Sequence, residues 1–186
     1  MKSRFIFLTI LLTFLMLPGF VFGQNLLIKN ATVMTAVKGT MTNTDVLVRN
    51  GKISRIGKNL NAGNARVIDA SGKFVTPGII DAHSHAMLDS VNEISYAVTS
   101  MARIRDVLDP TDVTIYRALG GGVTAANLLH GSANPIGGLN TVVKFKYGRA
   151  IEEFLIPEAP PGIKFAMGEN VKRARNQQGQ PRRYPA

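Results

Sequence analysis

The run Val75-Thr76-Pro77-Gly78-Ile79-Ile80-Asp81-Ala82-His83-Ser84-His85 marks a change of rhythm that limits what the chain can fold into. Upstream of it, apolar residues come in short, weakly alternating groups. "NLLIKNATVMTA" reads as one strand, and "TDVLVRNGKISRIGK" carries two runs around Asn50-Gly51. Both residues of that pair tolerate positive φ, which suits a type I′ hairpin turn. "ARVIDASGKFVTPG" adds a strand, a turn at Ser71-Gly72 and an exit at Pro77-Gly78. Residues 24–76 are therefore predicted to form a small all-β layer.

Downstream, short apolar runs alternate with helical or loop-like stretches. "GIIDAHSH" is a strand ending in polar residues, and "SVNEISYAVTSMARIRDVL" has weak helical spacing, predicting a loop followed by a helix. "DPTDVTIYRALGGG" predicts a better helix, with Asp109 as cap, Pro110 in the first turn and Gly120 to Gly122 as the stop. "VTAANLLHG", "LNTVVKFKYG" and "GIKFAMG" follow as further strands. Short strands alternating with helices or loops predict an α/β fold with a parallel sheet.

The chain has 186 residues, enough to bury one sizeable core and little more. Apolar residues at 45% against 18% charged favour a globular chain over a disordered one. The absence of cysteine excludes disulfides, thiolate metal sites and a cysteine nucleophile. Met1 to Arg4 is a short basic segment, Phe5 to Leu17 is almost unbroken apolar, and "LPGFVFG" ends in the small residue Gly23. This pattern predicts a cleaved export signal over 1–23, a mature chain from Gln24, and a periplasmic location. Pro18 and Gly19 interrupt the apolar run before the roughly 20 residues of a spanning helix, so no stable membrane insertion is expected after cleavage.

The formal charge of +10 sits at the chain ends. Lys2 and Arg4 lie in the signal, and Lys172, Arg173, Arg175, Arg182 and Arg183 lie in an acid-free tail, while Gln24 to Glu169 is nearly balanced. Without a basic stripe or a nucleic-acid-binding motif, no nucleic-acid partner is expected. The polar tail over 176–186 is expected to be unstructured, and is read as a truncation point.

Chemistry concentrates in "DAHSH". Residues two apart on a strand share a side, so His83, His85 and Asp81 face one way. Two converging imidazoles can begin a divalent metal site, although an isolated His-x-His is more often a pair of polar surface residues. Glu169, just after the "GIKFAMG" strand, is a candidate bridging carboxylate or a solvated loop residue. Lys164 could be carboxylated, but it begins its strand and reads more readily as a lysine snorkelling to solvent. In "HGSANPIGG", His130 and Asn134 are candidate substrate contacts, with a glycine-forced structural turn as the competing reading. Asp106, Asp109 and Asp112 read as caps and solvated residues.

"GKFVTPGIIDAHSH", "GGVTAANLLHGSANPIGGLNTVVKFKYG" and "GIKFAMGENVKR" resemble, in order, segments of the amidohydrolase superfamily, and of its imidazolonepropionase-related exported members. The resemblance implies a (β/α)8 TIM-type barrel joined to a β-sandwich. Here it implies a partial barrel, its first three or four βα units over 77–175, preceded by the sandwich strands of 24–76. It also implies one or two divalent metals, usually zinc, with His83 and His85 as ligands, and metal-activated water attacking an amide, lactam or small dipeptide C–N bond of a small-molecule substrate. The catalytic late-barrel aspartate and the later histidines have no counterpart here. The stretch from Gly78 to Ala186 is far short of the about 250 residues of a complete barrel. The chain is thus expected to be an incomplete, inactive N-terminal portion. The alternative is a non-catalytic half-barrel that binds a ligand or partner, or a non-functional fragment. Oligomeric state is open.

Overall fold

The computed structural model describes residues 25–173. The expected export signal and the polar tail over 176–186 lie outside the described residues. The chain divides into two compact units, one ending at Pro77 and the other beginning at Gly78. Among the described residues, no helix is long and apolar enough to cross a membrane.

The first unit is a five-stranded sheet built on β1 (Leu26–Thr35). β2 (Gly39–Arg49) runs antiparallel to β1, and β3 (Lys52–Gly57) antiparallel to β2. The β2–β3 turn is the predicted one, with Asn50 at φ 51° and Gly51 at φ 72°. β4 (Arg66–Asp69) and β5 (Phe74–Val75) pair in parallel with successive halves of β1. The β1–β2 register slips around Asn30, which takes a left-handed φ of 61°. Asp45 stabilises that irregularity: its Oδ1 accepts from Asn30 N–H at 2.9 Å and its Oδ2 from Leu60 N–H at 3.0 Å. Ala31, Val33, Val46 and Ala70 form the core of this unit, with Ile28, Val48 and Val75 packed against it.

The second unit has a three-stranded sheet in the order β6 (Ile79–Ser84), β7 (Val123–Leu128), β9 (Thr141–Lys144). β6 and β7 are parallel, as predicted, and the crossover between them carries helix α1 (Val113–Gly120). Gly78 begins this unit because a side chain there would collide with Thr124 at the start of β7. β9, predicted as one more parallel strand, runs antiparallel to β7. The link between them holds β8 (Ile136–Leu139) and lacks the helix that usually carries a parallel crossover. β8 instead pairs antiparallel with β10 (Ile163–Phe165).

The helix predicted before residue 109 shrinks to one 3₁₀ turn, Ile104–Val107. The preceding segment is irregular, with bends and a turn closed by Ala102 N–H to Thr99 O, and it bridges β8 through Thr99 N–H to Ile136 O and Leu139 N–H to Ala102 O. That pairing outweighs a weak helical preference. α1 begins later than Asp109 would set it: Asp112 is the cap, accepting from Thr114 N–H at 2.8 Å. Asp109 is engaged by Thr111 N–H and Oγ1–H, and Asp106 pairs with Arg103. Two short helices, α2 (Ile151–Phe154) and α3 (Glu169–Arg173), complete the described residues. Met87, Ile115, Leu128, Val143 and Phe154 are central to a core between α1 and the sheet. The architecture is mixed α/β and rich in strands.

Candidate active site

His83 and His85 sit at the C-terminal end of β6 and just beyond it, both exposed. Their ring centroids are 5.3 Å apart at an interplanar angle of 80°. Asp81, one strand repeat earlier, turns its Oδ1 onto the His83 N–H at 3.1 Å, and so braces the strand end.

The protons on these rings follow from their partners. His85 Nδ1 lies 2.8 Å from the Leu129 carbonyl oxygen, which can only accept. Nδ1 therefore carries a proton, which places the lone pair of the neutral ring on Nε2. His83 Nε2 lies 3.2 Å from Lys164 Nζ, where an ammonium can only donate, so Nε2 of His83 is likewise a lone-pair atom. The Lys164 charge is the main reason that His83 titrates below its ordinary value, followed by burial and by His85, with Asp81 opposing them. His83 is thus held neutral at pH 7, the form that ligates metals.

Lys164 was expected to snorkel away. It is the middle residue of β10, only 9% exposed, and its amine converges on His83 from 81 residues along the chain. This was the residue that sequence reasoning undervalued. Strand position suggested distance from the site, and only the β8–β10 pairing reveals proximity. Glu169 opens α3 and, with Lys164 and Ser132, lines a cavity of about 290 Å³.

His130 and Asn134 are placed differently from the exposed pair. His130 is 2% exposed, its Nε2 accepting from Glu93 N–H at 2.7 Å and its Nδ1 facing the Gly131 carbonyl at 3.0 Å. Asn134 is fully buried, and its amide nitrogen lies within hydrogen-bond distance of Glu93 O, Tyr96 O and Thr99 Oγ1. Both side chains are thus engaged in tying the loop after β7 to the irregular segment around Glu93 to Thr99. Among the described residues, no group of three or more histidine, aspartate or glutamate side chains converges as a metal site. The donor chemistry fits part of one: two imidazoles side by side, with His83 Nε2 occupied by Lys164 and the His85 ring oriented by the Leu129 carbonyl.

No family model matches the chain. An amidohydrolase of Hapsidospora irregularis, tasK, is 34% identical over 187 residues, covering 81% of this chain and 19% of that protein. A dihydroorotase of Bacillus cytotoxicus is 48% identical over 62 residues, 33% of this chain and 14% of that enzyme. The crystal structure of an amidohydrolase from Thermotoga maritima superposes with a TM-score of 0.71 at 41% identity, covering 80% of this chain and 40% of that one. The chain spans less than half the length of these relatives. With the mixed α/β fold, they support the amidohydrolase superfamily as the family of this chain.

Proposed function

We propose that the chain is the N-terminal portion of a metal-dependent amidohydrolase, of the imidazolonepropionase-related exported kind, acting on a C–N bond of an amide, lactam or small dipeptide. The observation that supports this reading is the convergence of His83, His85 and Lys164 at one end of β6. In it, His83 and His85 hold a divalent ion, zinc in the first instance, which at His83 Nε2 would take the place of the Lys164 contact. The bound ion supplies the Lewis acidity that activates water. The Leu129 carbonyl orients the His85 ring, and Lys164 keeps His83 deprotonated at Nε2. Further ligands would come from residues other than the pair; Glu169, which lines a cavity with Lys164, is the candidate carboxylate. The relatives support the bond class: one is a dihydroorotase and two are amidohydrolases.

The test is zinc retention by the 186-residue chain after exhaustive dialysis, with a panel of lactams, amides and dipeptides as substrates. Bound zinc that His83→Ala and His85→Ala each abolish is the expected result. Zinc content unchanged in the double variant sinks the metal reading. Zinc lost from the unsubstituted chain, with no turnover, favours a ligand-binding half-barrel instead. Export is tested separately, by N-terminal sequencing of the mature protein for a start at Gln24.

A further inference from the structure

We propose that His130 is a positioning residue for His85, setting which ring nitrogen His85 presents to a metal. The proposal rests on the reading of His83 and His85 as ligands, and it assigns a role to a histidine that holds no metal itself.

One peptide plane links the two histidines. The Leu129 carbonyl and the His130 amide belong to the same rigid planar unit. On one side, Leu129 N–H donates to Ser84 O at 3.0 Å, and Leu129 O accepts the His85 Nδ1 proton at 2.8 Å. On the other, the His130 ring is clamped: Nε2 accepts from Glu93 N–H, while Nδ1–H donates to Gly131 O. The ring also lies against Gly137, where a Cβ would stand 2.5 Å from Nδ1. Gly131 N–H donates to Val91 O at 2.7 Å, and Asn134 ties the same loop to Thr99 at 2.7 Å. Every polar atom of the His130 ring is thus used to hold the plane whose carbonyl selects the His85 tautomer. Release of that ring frees the plane to turn, and His85 then loses the acceptor that keeps its proton on Nδ1. Partners of this kind that orient a ligand typically change metal affinity about 10–100-fold.

The test is long-range 1H–15N correlation NMR of the histidine rings in the full chain, with zinc titration in parallel. The unsubstituted chain is expected to show His85 protonated at Nδ1. His130→Ala is expected to mix the two His85 tautomers and to weaken zinc binding about 10–100-fold at unchanged stoichiometry. His130→Gln, which keeps an acceptor for Glu93 N–H, should restore both. A purely structural role for His130 would lower thermal stability while leaving the His85 tautomer alone. The proposal is overturned by an Nε2-protonated His85 in the unsubstituted chain, or by a His130→Ala chain with unchanged tautomer and affinity. If His130→Ala does not fold, the unsubstituted spectrum and His130→Gln still decide. Should His85→Ala leave zinc binding intact, the metal reading fails alone, and the tautomer spectra still decide whether His130 orients His85.

Discussion

Asp45 shows how much of this chain's stability hangs on single polar residues. It is 2% exposed, and its two oxygens accept from Asn30 N–H and Leu60 N–H. Asp45→Ala is expected to destabilise the first unit by about 1–2 kcal/mol in urea unfolding, because two part-buried backbone donors lose a charged acceptor. Asp45→Asn retains an acceptor and should cost less. A melt unchanged by Asp45→Ala would show that the irregularity at Asn30 holds without it. The residue scale is also where local chemistry was most readable. Asn50-Gly51 forms its turn because positive φ is a property of those two residues. Asp45 and Lys164 were unreadable for the opposite reason, since their partners lie 15 and 81 positions away.

At the scale of elements, α1 offers a clean contrast between two aspartates three residues apart. Asp112 caps the helix, while Asp109 is occupied by Thr111 in the turn before it. Asp112→Ala should therefore cost about 1 kcal/mol of second-unit stability, and Asp109→Ala less, as read by thermal unfolding. Equal losses would mean that the cap is shared. The existence of α1, of the β2–β3 hairpin and of β6 and β7 was legible from periodicity and turn residues. The direction of β9 was not, because direction depends on what the connecting chain can span. Nor was the irregular course of the segment around Thr99, which is settled by hydrogen bonds to β8 rather than by its own side chains.

For the whole molecule, the open side of β6 is the feature with consequences. Among the described residues β6 pairs only with β7, and Ile79 and Ile80 are 56% and 71% exposed. An apolar strand with an open edge invites association. The purified 186-residue chain is expected to bind a hydrophobic dye and to elute as oligomers in size-exclusion chromatography with light scattering. Ile80→Lys should shift it toward monomer. A monodisperse, dye-silent wild-type chain would show that this edge is covered. The broad class of this protein was already determined by its sequence: a β-layer, a break at Pro77-Gly78, and an α/β segment opening on His-x-His, features carried by local backbone preference and short-range pattern. What the tertiary structure alone decided is which side chains meet. Lys164 reaches His83, and the His130 ring meets Glu93 N–H, because tertiary packing joins residues whose separation along the chain no local rule can bridge.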